Sequence, residues 1–237
     1  DSSVNMKYNV ISASCKGRSK GHIYQDHLRV FESETCLLAI VADGLGSAVS
    51  SSRGSDLICQ IISAFASSID WRVHDIPEIL NTSVSEWYRR LEVKGVSARD
   101  CCTTCSAIII NKPRCIAYLC QIGDSPIFYR IDEENVIILS SEKEFLNETD
   151  CLGPSTHPYF SVIEKRFSKK IDFLIATDGF GDEVVPDAAG SLFNYFKAKY
   201  SKIREKKRNS ALKNELIETM QDKNNDDKSI IFGWTSQ

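Results

Sequence analysis

Leu37-Leu38-Ala39-Ile40-Val41-Ala42-Asp43-Gly44-Leu45-Gly46-Ser47 is an apolar run that stops on an acid followed by glycines. It is short, aliphatic and bounded by glycine, which predicts a buried strand rather than a helical segment of similar hydrophobicity. Gly44 and Gly46 are free to take backbone angles closed to other residues, so main-chain groups can approach whatever Asp43 holds. A strand followed by Asp-Gly is by itself an ordinary turn signal. Here it recurs. Ile171 to Thr177 runs into Asp178-Gly179, Cys115 to Ile122 runs into Gly123-Asp124-Ser125, and Asp226-Asp227-Lys228-Ser229 leads into Ile230-Ile231-Phe232. Tyr24-Gln25-Asp26-His27 before Leu28-Arg29-Val30-Phe31 places one more acid at a strand start. Strands that begin or end on acids can bring their carboxylates together at one sheet edge. Two bare charges about 4 Å apart repel by on the order of 4 kcal/mol at an effective dielectric of about 20, so such a cluster raises its pKa values or binds a cation. All-oxygen ligation without a Cys/His pair favours a hard ion, Mg²⁺ or Mn²⁺.

The 237 residues contain no Pro/Gly/Ser-rich linker, which predicts one domain over 1–237. Residues 1–8 are expected to be disordered or non-native, with Met6 a candidate natural start. A hydrophobic content of 42%, a charged content of 26% and a net charge of -3 describe an ordinary globular chain with no general affinity for nucleic acid. No apolar stretch reaches the roughly 18 residues of a membrane span, and no signal peptide is legible. The nine cysteines are odd in number and mostly sit inside apolar runs, so they read as reduced core thiols of a cytoplasmic protein. Cys101-Cys102-Thr103-Thr104-Cys105 lacks the second ligand pair of a structural zinc site. Lys197 to Arg208 is a basic run, read as a solvated helix face diluted by Glu205.

Alternation from Asn9 to Ser14 predicts a strand. Leu57, Ile58, Ile61, Ile62, Phe65 and Ile69 recur at helical spacing, predicting a helix from about Ser51 to Ser68. A second helix is marked by Ile79, Leu80, Val84, Trp87, Tyr88 and Leu91, with Pro77 in its first turn. Thr104 to Asn111 and Arg114 to Gln121 are strands joined too tightly for anything but antiparallel pairing, and Ile127 to Ile131 with Val136 to Leu139 repeats the arrangement. Glu142 to Pro158 is irregular; Phe160 to Phe167 and Phe173 to Thr177 are strands. Ala188 to Gln221 is mostly helical, with Leu192, Phe193, Phe196, Leu212, Leu216, Ile217 and Met220 facing inward. The order predicts an α+β sandwich, sheets inside and helix pairs outside.

At these residues the chain resembles the metal-dependent protein serine/threonine phosphatases of type 2C, and within them a bacterial branch. Val41-Ala42-Asp43-Gly44-Leu45-Gly46 resembles the family's first Asp-Gly motif, Thr103-Thr104 its Thr-Thr strand start and Gly123-Asp124-Ser125 its Gly-Asp-Ser turn. Ala176-Thr177-Asp178-Gly179-Phe180 is similar to the Ser-Asp-Gly motif, and Asp226 to Ile231 to the C-terminal Asp-Asn/Asp-x-Thr/Ser-Val-Ile. The resemblance runs from Ser12 to Phe232 in the family's order. It implies a four-layer α-β-β-α sandwich of two antiparallel sheets, with two Mn²⁺ or Mg²⁺ ions at one end. Asp43 would bridge both ions, the Gly44 carbonyl would join one, and Asp178 and Asp226 would complete the other. Asp124 matches the acid for a weaker third ion, and Asp26 the acid of Glu-Asp, which here reads Gln25-Asp26. The implied reaction is hydrolysis of phosphoserine or phosphothreonine by a metal-bridging water or hydroxide, with Asp43, Asp178 and Asp226 catalytic.

Three departures bear on that expectation. Leu45 stands where eukaryotic members often have a histidine proton donor, and Pro126 replaces the common Arg after Gly-Asp-Ser. Gly21 stands at the place of the phosphate-binding arginine, leaving Arg18, Lys20 and His22 as phosphate-binding candidates. The four histidines follow no triad pattern. The implied partners are a phosphorylated protein and a cognate Ser/Thr kinase with its targets, met by a monomer without nucleic acid or membrane. The alternative is a non-catalytic phosphatase-like domain that binds a signalling partner. A haloacid-dehalogenase-type enzyme is excluded, because it needs an Asp two residues before the second acid, where Val41 and Ala176 stand, and its parallel sheet conflicts with the hairpins.

Overall fold

A computed structural model describes residues 6–18, 23–140, 150–154 and 158–236. Why the run at 37–43 has no polar face is plain from what flanks it. In β3 (Cys36–Asp43), Cys36, Leu38, Ile40 and Ala42 face a helical layer, while Leu37, Ala39 and Val41 face a second sheet. A strand buried on both faces cannot alternate.

β3 belongs to a five-stranded sheet that also contains β2 (Asp26–Glu32), β4 (Cys105–Asn111), β5 (Ile116–Ile122) and β8 (Ser161–Arg166), in the order β2-β3-β4-β5-β8. The other sheet is built from β1 (Lys7–Cys15), β6 (Ile127–Ile131), β7 (Ile137–Leu139), β9 (Ile171–Ala176) and β10 (Lys228–Ser236), in the order β1-β10-β9-β6-β7. Every pairing is antiparallel. The predicted strand at 9–14 reaches back to Lys7, so residues 7 and 8, expected in a disordered lead-in, pair with Ser236 and Thr235.

Helices cover the outer faces. α1 (Ser51–Ser67) and α2 (Ile76–Val93) pack Ile58, Ile61, Leu80 and Trp87 against the β3 sheet, and the Trp87 indole N–H donates to the Gly54 carbonyl at 3.0 Å. After the short α3 (Asp178–Gly181), α4 (Ala189–Ser201) and α5 (Glu205–Thr219) lay Phe193, Phe196, Tyr200, Leu212 and Leu216 on the other sheet, against Phe232 and Trp234. Ile217, expected inward, is 40% exposed, because Leu212 and Leu216 already fill the buried stripe of α5. Between the sheets lies a third core of Val41, Ile108, Leu119, Phe173 and Ile231. The architecture is the four-layer α-β-β-α sandwich. Each fully buried aliphatic or aromatic side chain in these cores contributes about 1.5–3 kcal/mol relative to exposure.

All nine cysteines are free of disulfides, and eight of them are buried. Among the described residues no helix is long and apolar enough to cross a membrane. Lys197 of the basic run pairs with the buried Asp172, and Lys199 with Glu215, so part of that run serves packing.

Candidate functional site

The registers carry the acids to one pole of the sandwich. Asp26 opens β2 opposite Asp43, which closes β3; Lys228 opens β10 opposite Cys15, and the Thr177 N–H following β9 donates to the Ser229 carbonyl. Strand ends from both sheets therefore surround one pocket of about 370 Å³. Six carboxylates line it, those of Asp26, Asp43, Asp124, Asp178, Asp226 and Asp227, with Gly44, Leu45, Gly46, Gln25, Thr104 and Asn225 completing the wall. Among the described residues no basic side chain lines it.

Asp43 is held through its main chain. Its carbonyl accepts the Thr104 N–H at 2.9 Å and the Thr103 hydroxyl at 3.0 Å, and the next residue bridges to Thr103. Burial pushes the Asp43 carboxyl well above the usual range, and the neighbouring charges of Asp26 and Asp178 push it further. Asp26, 1% exposed, is pushed up to about 7 by burial, against hydrogen bonds from the Thr177 and Ser229 hydroxyls that pull it down. The Thr177 hydroxyl donates to Asp26 Oδ2 at 2.7 Å and accepts the Ser229 N–H at 3.0 Å. Asp178 stands at the first position of α3.

Gly44 is needed for space rather than for its backbone angles: its φ is not left-handed, and an added Cβ would lie 2.8 Å from Ser51 Cβ. Gly46 has room for a side chain. The left-handed position at this pole is Gly123, φ 95°, which turns the chain so that Asp124 faces the pocket.

The two adjacent C-terminal acids separate by environment. Asp227 is buried, and its two oxygens accept the Gly17 and Gln25 N–H groups, each at 2.8 Å. Asp226 is exposed to the pocket. Gln25 donates its amide to the Ser51 hydroxyl at 2.7 Å. Arg18 lies outside the pocket wall and pairs with Asp222 at 2.7 Å, whereas Lys20 and His22 fall outside the described residues. His27 and His74 bond to Ser55 and to the Asp70 N–H. Pro126 packs against Gly181.

Sequence reasoning missed Asn225 in the wall and the Thr177–Ser229 hydroxyl pair behind Asp26. The first carried no signal beyond its place before Asp226. The second was readable, since Thr177 stands beside Asp178 and Ser229 two residues after Asp227.

A wall with six carboxylates, of which the buried Asp26 and Asp43 are pushed up by burial and by neighbouring charge, has the chemistry of a hard-cation site. Among the described residues no three acids already stand as a closed ligand cage.

The sequence matches a family described as Protein phosphatase 2C over residues 16–218. Among solved structures, the chain is similar to RsbX in complex with magnesium, at 18% identity and a TM-score of 0.64, covering 97% of this chain and 96% of that one. It is also similar to the catalytic domain of the serine/threonine protein phosphatase PstP in complex with two manganese ions, at 16% identity and TM-score 0.69, covering 98% and 100%. A bacterial serine phosphatase superposes at TM-score 0.71 with 14% identity and 98% of each chain covered. At these identities the structures establish the fold. A search of curated proteins finds no match.

Proposed function

Since the chain belongs to the protein phosphatase 2C family, we propose that it hydrolyses phosphoserine or phosphothreonine in a protein substrate, using divalent cations held at the acidic pole. The observation that carries this reading is the convergence of six aspartates from five strand ends on one pocket. Asp43, the Gly44 carbonyl, Asp178 and Asp226 would hold two Mn²⁺ or Mg²⁺ ions, with Asp26 beside them and Asp124 at a weaker third position. Such ions supply activation of water at neutral pH and neutralisation of the phosphate charge. The manganese in PstP and the magnesium in RsbX support that choice of ion.

The protein's own groups do the rest. Thr103 and Thr104 fix the Asp43 backbone, and Thr177 orients Asp26. Leu45 brings an apolar side chain to the pocket wall, so the proton for the leaving seryl or threonyl oxygen comes from water. Arg18 would have to leave Asp222 before it touched a phosphate. Asn225 is in the wall, and its side-chain amide would be a neutral donor for the phosphate oxygens. A phosphoprotein made by a Ser/Thr kinase is the matching partner, and a monomer suffices for the chemistry. A purely partner-binding domain would have no use for carboxylates crowded at the cost of raised pKa values.

Hydrolysis of a phosphothreonine peptide with Mn²⁺, with EDTA and by Asp43→Asn tests the reading. Turnover that needs the metal and is lost in the variant supports it; a folded wild-type chain inert with both Mn²⁺ and Mg²⁺ overturns it.

A further inference from the structure

Lys228 is fully buried, the one basic side chain so placed among the described residues. A buried ammonium ordinarily sits against a carboxylate. This one directs its three hydrogens at neutral oxygens: Asn224 Oδ1 at 2.7 Å, the Asp226 carbonyl at 2.8 Å and the Asn224 carbonyl at 3.2 Å. Three donors meet three acceptors, all in the turn that carries Asp226. The Asp226 N–H closes the same turn on Asn224 Oδ1 at 3.1 Å.

Other groups grip the turn from its flanks. The Asn224 amide donates to the Gly179 carbonyl at 2.9 Å and to Glu183 at 3.1 Å. A Cβ added at Gly17 would lie 1.9 Å from the Asn225 carbonyl oxygen, and one at Gly179 would lie 2.1 Å from that of Asp227. These contacts leave the turn little room to shift sideways. Among the described residues only the Lys228 ammonium bonds the Asp226 carbonyl, and so it ties down the backbone that carries the exposed Asp226 carboxylate.

We propose that Lys228 is the positioning residue of this pocket: its buried ammonium fixes the 224–226 turn so that Asp226 presents its carboxylate to a divalent cation. The inference rests on the metal reading of the pocket. Groups behind a ligand commonly set metal affinity by about 10–100-fold.

The test uses the full chain and the variants Lys228→Met, Lys228→Arg and Asp226→Asn. Hydrogen exchange over 222–229 in EDTA reads the turn without metal, and Mn²⁺ titration calorimetry reads the site. Lys228→Met, similar in volume, is expected to lose protection in that segment and to bind Mn²⁺ about tenfold or more weakly. Its activation should move to higher Mn²⁺ while kcat at saturation stays near wild type, a split that general destabilisation does not produce. Lys228→Arg, which keeps the charge but cannot place three hydrogens on the same oxygens, should fall between. Should Lys228→Met fail to fold, Lys228→Arg carries the comparison. Wild-type Mn²⁺ affinity in the folded Lys228 variants overturns the inference alone. A wild-type chain that binds no Mn²⁺, indistinguishable from Asp226→Asn, overturns the metal reading and this inference with it.

Discussion

Asp26 is buried beside Asp43 and Asp227, and its carboxyl holds a proton up to about 7. In the unfolded chain it releases that proton near pH 4. Between those values the folded state binds more protons than the unfolded state, so raising the pH favours unfolding. Asp43 acts in the same direction, burial first and the Asp26 and Asp178 charges second. Metal-free protein should therefore lose on the order of a few kcal/mol of stability as the pH rises from about 4 to about 7. Urea denaturation in EDTA across that range checks this, and stability that climbs with pH would refute it. Thr177 serves the same acid. Replacing Thr177 with Val removes the donor to Asp26 and the acceptor of the Ser229 N–H, at a cost of about 1–3 kcal/mol in the same denaturation experiment.

The β6–β7 hairpin makes its tight turn with Asp132 at φ 49° and Glu133 at φ 70°, both left-handed and neither glycine. The compensation lies outside the hairpin. The Asp132 carboxylate accepts the N–H groups of Ser168, Lys169 and Lys170 and the Ser168 hydroxyl, at 2.7–3.0 Å. Burial alone would raise this carboxyl, but the Lys170, Ser168 and Lys169 N–H donors hold it down to about 2. Asp132→Ala should cost about 1–2 kcal/mol after allowance for solvent screening at so open a site. The wild-type contribution should be full above about pH 4 and fade as the pH falls through about 2, a span that acid titration followed by circular dichroism covers. Sequence showed the hairpin, because Ile127–Ile131 and the apolar run from Val136 are separated by four polar residues. It did not show the turn geometry, since the residues that stabilise it are some 36 positions away. Ile217 failed for a related reason. Periodicity puts it beside Leu216, but how wide a stripe α5 buries is decided by the sheet beneath it.

At the scale of the molecule, what could be read in advance was whatever local pattern dictates. The two-faced burial of β3 leaves an unbroken apolar run and that of β9 a run broken only by Asp172, and the acids that end those runs are marked by the glycines after them. What could not be read depends on several strands meeting: the division of labour between Asp226 and Asp227, the pairing of Arg18 with Asp222, and Lys228, whose charge looks like surface until its strand is known to start inside the pole. That meeting also sets the last prediction. A pole lined by six aspartates, with no basic lining residue among the described ones, stabilises the fold less without a cation than with one. A cation that binds only the folded chain adds about 2.7 kcal/mol at a hundred times its Kd, which for a chain of this size raises Tm by roughly 5–10 °C. Wild-type protein should show that rise between EDTA and excess Mn²⁺, while Asp43→Asn, with a central carboxylate removed, should show little of it. The pH loss predicted for Asp26 should shrink with bound Mn²⁺ as well, because a cation favours the charged carboxyls that burial disfavours. A melting point indifferent to Mn²⁺ in the wild type, with the pH loss unchanged, would mean that the crowded acids serve something other than a metal.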